Sequence, residues 1–218
     1  DWWSIRADNT IQLLTLRQLI DNAALFPDRF IRDASGTITT IDQRWINAGA
    51  RKTQGLEISV RGGFDLPGNS QLNLGVDGSM LLEKKEKLTE TAAWSASQIG
   101  VFTFAGDLGL RWKHNAWLTW SNDNLSATFS QIFRKGYKNQ ALPGIAAGTI
   151  TRPDYNPMVK DYVTYNLTVS YQGLIEGLKL TAGVKNVFDT DPPFAITYDG
   201  NTGAGSSWEP RVADPRGR

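Results

Sequence analysis

Cysteine is absent from all 218 residues, and histidine occurs once, as His114. The first absence removes disulfides, thiol nucleophiles and thiolate metal sites together. The second leaves a lone imidazole with no partner for a metal-ligand set or a Ser-His pair. No cofactor and no metal are therefore expected, and the chain is not read as an enzyme. No run of 18 apolar residues is present either, which rules out a transmembrane helix. Charge of one sign is also lacking: Lys and Arg number 23 against 22 Asp and Glu. That balance excludes the basic footprint of a nucleic-acid binder. The glycine-rich segment Gly200–Ser207 has no Lys-Ser/Thr after it, and reads as a loop rather than a phosphate cradle. The chain shows neither an initiator Met nor a signal peptide, and it stops in the turn-like Asp214-Pro215-Arg216-Gly217-Arg218. It is expected to be a fragment.

What is present is alternation. Leu56, Ile58, Val60, Phe64 and Leu66 fall on one side of a single stretch, and Glu57, Ser59, Arg61 and Asp65 on the other. A period of two means a strand whose two faces meet different environments. The pattern recurs at 72–83, 108–120, 125–137, 163–171 and 178–188, and Trp3–Ala7 makes a further strand. Connections alternate between short and long. Pro67-Gly68-Asn69, Ser121–Asn124 and Gly173–Gly177 are tight turns, whereas 84–107, 138–161 and the stretch after 188 are long. Short turns at one end and long loops at the other is the wiring of an antiparallel outer-membrane β-barrel. A membrane strand needs only about 9–11 residues, half of them polar, so an overall polar composition does not argue against it. Trp120 and Tyr171 sit beside tight turns, where an aromatic girdle meets the headgroups. Lipid and lipopolysaccharide are then the partners of the outward face.

The first long loop has structure of its own. Leu16, Leu19, Ile20 and Ala23 follow helical spacing, Thr15 stands where a cap would be, Arg17 and Asp21 pair at i, i+4, and Pro27 ends the run. A short helix over 15–25 is predicted, followed by a small hairpin in which Asp33–Gly36 turns Phe30–Arg32 onto Thr37–Ile41. Within the barrel, Glu57 and Arg61 are read either as part of a lumen charge network or as solvated. The run Glu83–Lys87 is read as a solvated strand end that can also meet lipopolysaccharide phosphates.

Several phrases taken in order carry a resemblance. Gly183-Val184-Lys185-Asn186-Val187-Phe188-Asp189, then Pro192-Pro193-Phe194 and Gly217-Arg218, resembles the C-terminal end of TonB-dependent outer-membrane receptors. Asn47-Ala48-Gly49 with Gly55-Leu56-Glu57, and Asp1-Trp2-Trp3-Ser4-Ile5 with Ile11, are similar to two earlier family phrases. The resemblance implies that residues 1–218 are a C-terminal segment of a 22-stranded barrel, about one third of it, located in the bacterial outer membrane. The rest of the barrel, its terminal strand and an N-terminal plug would lie outside the chain. It implies active transport of a scarce, bulky nutrient, most often a ferric siderophore, energised by the inner-membrane TonB complex. Arginines and aromatics in the outward loops suit an anionic, ring-bearing chelate: Arg29, Arg32, Trp45, Tyr137, Tyr155, Tyr198 and Trp208. Two other readings stand beside it. One is a passive porin or adhesin barrel. The other is a soluble carbohydrate-binding β-sandwich in which Trp45, Tyr155 and Trp208 would stack on sugars.

Overall fold

A computed structural model describes residues 1–14, 16–102, 108–139, 157–195, 197–198 and 205–213. In chain order the elements are β1 (Trp2–Gln12), α1 (Leu16–Asp21), β2 (Phe30–Arg32), β3 (Ile38–Ile41), β4 (Ile46–Leu66), β5 (Ser70–Lys87) and β6 (Trp112–Ser121). Then come β7 (Leu125–Arg134), β8 (Tyr137–Lys138), β9 (Met158–Val159), β10 (Tyr162–Gln172), β11 (Lys179–Val184), β12 (Thr197–Tyr198) and β13 (Gly205–Ser206). Seven strands form one sheet in the order β1-β4-β5-β6-β7-β10-β11, each antiparallel to its neighbour. This is a meander, with β2-β3, β8-β9 and β12-β13 as small ribbons in the long connections. The sheet is open, and β1 and β11 are its outer strands.

Register follows the alternation. Gly62 faces Leu74, Leu74 faces Leu118, Leu118 faces Phe129, Phe129 faces Leu167 and Leu167 faces Val184. Residues directly opposite in a sheet share a face, so this row crosses six strands on one side. The polar row three residues on, Asp65-Gln71-Ser121-Ser126-Ser170-Thr181, lies on the other. Val60, Phe64, Leu118, Leu180 and Val184 on the first side are exposed. Each such side chain left in water forfeits about 1.5–3 kcal/mol of burial. Among the described residues no second sheet covers that face, which removes the β-sandwich reading. It is the lipid side of a partial barrel.

The tight turns have local causes. Gly68 and Asn69 both take positive φ, 76° and 54°, the region that glycine and asparagine adopt most readily. At the second turn, Asn122 Oδ1 accepts from the backbone N–H of Asn124 at 3.2 Å and of Leu125 at 2.9 Å. Side-chain mimicry of a backbone turn is what asparagine supplies at such sites.

Several boundaries move. The first strand runs to Gln12, past the expected Ala7. The sixth begins at Trp112 instead of Leu108, and the seventh stops at Arg134, with Tyr137–Lys138 pairing separately onto β9. The last strand ends at Val184, not Phe188. There Asn186, at φ 50°, breaks the extended path, donating its backbone N–H to Asn166 Oδ1 at 3.0 Å and taking that of Thr190 on its own Oδ1 at 3.0 Å. The predicted helix is real but shorter, covering Leu16–Asp21, and two 3₁₀ turns at Ala23–Leu25 and Pro27–Arg29 complete the segment. Thr15 lies outside the described residues, as does the side chain of Arg17.

Candidate functional site

The loop end of the sheet carries two small apolar cores. Leu14, Leu19 and Phe26 are buried together, with Phe30, Ile41, Ile46 and Leu88 against them. This core seats the β2-β3 hairpin on the sheet. The hairpin turn is closed by Asp33, whose Oδ1 accepts the Ser35 hydroxyl at 2.6 Å and the backbone N–H groups of Ser35 and Thr37 at 2.9 and 3.0 Å. Those bonds, the Ser35 hydroxyl first, hold its carboxyl below the ordinary value.

Three of the expected residues lie on this hairpin or just beside it in sequence. Arg29 places a guanidinium nitrogen 3.1 Å from Asp42, Arg32 donates to the Gly36 carbonyl at 2.8 Å, and Trp45 is 66% exposed. Arg44, which sequence reasoning missed, is on the same carboxylate: its Nε and NH2 reach Asp42 at 3.0 and 2.8 Å. Bonding from Arg44, and then the charge of Arg29, pulls the Asp42 carboxyl far below the usual carboxylate range. Two guanidinium groups thus share one carboxylate, an excess of one positive charge, with Arg44 open to solvent, Arg29 and Asp42 largely covered, and an indole beside them in sequence. The signal in the sequence was the triplet Asp42-Gln43-Arg44, an i, i+2 acid–base pair just before the exposed tryptophan.

The second loop core holds Phe102, Tyr137, Val159, Tyr162, Ala195, Val212 and Ala213. Tyr137 is 1% exposed and its hydroxyl meets no hydrogen-bond partner among the described residues. Burial, and then the negative charge of Glu209, raises its pKa. In this structure Tyr137 is a packing residue. Trp208 is half-buried beside Glu209, which itself takes Arg211 Nε at 2.7 Å. Tyr198 lies on β12 with its side chain outside the described residues, and Tyr155 is outside them altogether.

The polar face of the sheet forms a trough of about 590 Å³ lined in part by Glu57, Ser59, Asp77, Lys113, Asn115 and Arg134. Arg61 does not pair with Glu57 on its own strand. It reaches across to Asp77 at 3.4 Å, where the Ser59 hydroxyl also donates at 2.6 Å. On the outward face, the Trp112 indole N–H donates to His114 Nδ1 at 2.8 Å and His114 Nε2 meets Gln131 Oε1 at 3.0 Å, while Gln131 Nε2 donates to the Tyr165 hydroxyl at 2.9 Å. The indole donor fixes the tautomer, so Nε2 carries the proton. Gly78 makes this possible: a Cβ there would collide with the Trp112 ring that lies across it.

An open antiparallel meander, apolar outside and polar inside, with loops gathered at one end, matches a known family. The model of the TonB dependent receptor-like β-barrel covers residues 1–187. The chain belongs to that family. Its members are outer-membrane proteins of Gram-negative bacteria, and they are transport receptors rather than enzymes. Among solved structures, a mutant of the ferric enterobactin receptor from Pseudomonas aeruginosa is similar at 16% identity over 95% of this chain, with a TM-score of 0.49. The chain spans 25% of that receptor's length. No curated protein matches.

Proposed function

We propose that residues 1–218 form the C-terminal third of a 22-stranded receptor barrel that imports a scarce, bulky nutrient. An N-terminal plug and the remaining strands complete it, and the TonB complex supplies the energy. Family membership over most of the chain carries this reading against a passive porin or adhesin. The ligand we favour is an anionic ferric siderophore. Its support is the patch on the first loop, where Arg29 and Arg44 share Asp42 and Trp45 stands exposed, with Arg32 on the same hairpin. Guanidinium groups bind anionic oxygens through paired N–H donors, and an indole face suits an aromatic chelator. Tyr155, Tyr198 and Trp208 are further candidates on the later loops, and the trough wall around Asp77 and Arg134 is the surface on which the plug would rest.

The test is equilibrium binding of ferric chelates to whole cells displaying the full receptor. Arg29→Ala with Arg32→Ala is expected to weaken capture of an anionic chelate about tenfold or more, since a charge-assisted hydrogen bond is worth roughly 1.5–3 kcal/mol. Undiminished affinity in normally displayed receptor would remove those arginines from the site. Uptake that persists without the TonB protein would overturn the transport mechanism.

A further inference from the structure

Stepping up the outward face from the tight-turn end, the chemistry changes at one level. The apolar stretch of β4 ends at Leu56, which faces Trp2 and Met80. The next outward row is Ser4-Gln54-Glu83, then Arg6-Lys52-Lys85, then Asp8-Ala50-Lys87. A bulge creates this order. The register slips between Gln54 and Gly55, so that Gly55 faces Leu81, Gln54 faces Glu83 and Leu82 is passed over. An extra residue reverses which side chains of a strand point out. Without the slip Leu82, Lys84 and Glu86 would occupy the outward face; with it, Glu83, Lys85 and Lys87 do.

Trp94 is held against this row. Residues 95–98 return along the upper end of β5, where the Ser95 N–H donates to the Glu86 carbonyl at 2.8 Å and the Gln98 N–H to the Lys84 carbonyl at 2.9 Å. Ser95 Oγ accepts the Glu86 N–H at 3.1 Å, completing a reciprocal pair. The indole then has Lys52 Nζ at 4.8 Å, Lys87 Nζ at 5.5 Å and the Arg6 guanidinium at 5.8 Å from its ring centre. Among the described residues, two carboxylates pair with these cations: Asp8 with Arg6 at 3.0 Å, and Glu83 with Lys52 and Lys85 at 2.8 and 3.2 Å. Four cations against two carboxylates leave an excess of two positive charges.

The height of the cluster decides what meets it. Leu56 to Leu66 is ten residues, or about 33 Å along the strand, and a tilt near 40° makes that an apolar band about 25 Å tall. Lys52 stands four residues higher, about 10 Å above the band at the same rise and tilt. That is the outer edge of the headgroup layer of the leaflet on the long-loop side, within reach of long basic side chains. We infer that Arg6, Lys52 and Lys87, gathered around Trp94 on the outward face, and Lys85 beside Lys52 in the same row, bind the phosphate groups of an outer-leaflet lipid headgroup. The site is continuous with the lipid-facing band and complementary in charge to a phosphate diester or monoester. It does not depend on which nutrient the receptor carries.

The full-length receptor in detergent, titrated with lipid A and with enzymatically dephosphorylated lipid A, tests the assignment. Lipid A should bind at least tenfold more tightly than its phosphate-free form, and more weakly as salt is raised. The triple variant Lys52→Gln, Lys85→Gln, Lys87→Gln should lose at least tenfold in lipid A affinity, while Lys179→Gln, on the opposite face at the tight-turn end of β11, should lose nothing. Heat-modifiable gel mobility confirms that each variant is folded, and Arg6→Gln with Lys87→Gln, which leaves the Lys52–Glu83 pair in place, serves if the triple variant is not. Equal binding of both glycolipids, or full lipid A affinity in a folded variant, would overturn the proposal. So would inorganic phosphate binding the receptor as tightly as lipid A, since the site would then serve a free anion.

Discussion

Asp42 is the hinge of the candidate ligand patch, because two arginines converge on it. Its carboxyl is held well below its unfolded value, so the ion triad is fully present above the ordinary carboxylate pKa and is lost only as pH falls through the depressed folded one. Chelate binding by Arg29 and Arg44 should therefore stay level from neutral pH down to about pH 4, the ordinary aspartate value. A binding titration showing a midpoint near that value would mean Asp42 is not so held. Tyr137→Phe removes a buried hydroxyl that meets no partner among the described residues; stability should be unchanged or higher, with ligand affinity intact. A clear fall in affinity in displayed receptor would return Tyr137 to the binding site. Gln131→Leu has the opposite expectation. It strands the His114 Nε2–H and the Tyr165 hydroxyl on the membrane face, and should cost about 1–3 kcal/mol in urea unfolding from lipid vesicles. At this scale the sequence was only partly readable. Arginine and tryptophan in an early loop could be named, but the partnership of Arg44 with Asp42 and the burial of Tyr137 depend on how the loops pack, and alternation says nothing about that.

Strands were legible because one physical cause, a two-sided environment, writes itself into every second residue. Their ends were not, for reasons visible in particular elements. Phe188 continues the apolar rhythm of β11, yet Asn186 has already left the extended region, and Phe188 turns back to lie edge-on to Tyr165 at 5.2 Å between ring centres. Asn186→Ala gives up the left-handed preference and both side-chain hydrogen bonds to the Thr190 backbone, and should destabilise the barrel by about 1–3 kcal/mol. Urea titration in lipid vesicles would measure it; a neutral result would show that the strand end is fixed by Phe188 packing alone. The bulge opposite Gly55 was equally silent. Leu81-Leu82-Glu83 interrupts the period, but an interruption in sequence alone can mean a bulge or a strand end.

For the molecule as a whole, the meander means that β1 and β11 each present an edge unpaired among the described residues, and the outward rows present apolar surface to water. Expressed as residues 1–218 alone, the chain should collect in inclusion bodies or require detergent, because bare edges and apolar faces template association. A monodisperse detergent-free monomer with a cooperative melt would contradict the membrane assignment of that face. The apolar band has one more consequence. At about 25 Å it is shorter than the roughly 30 Å hydrocarbon core of an average bilayer. Hydrophobic mismatch then favours thin membranes, and each ångström of excess thickness must be met by compressing acyl chains at a cost of a fraction of a kcal/mol. The receptor should insert faster into short-chain than into long-chain vesicles, and in a cell the thickness of the membrane itself would act as its address.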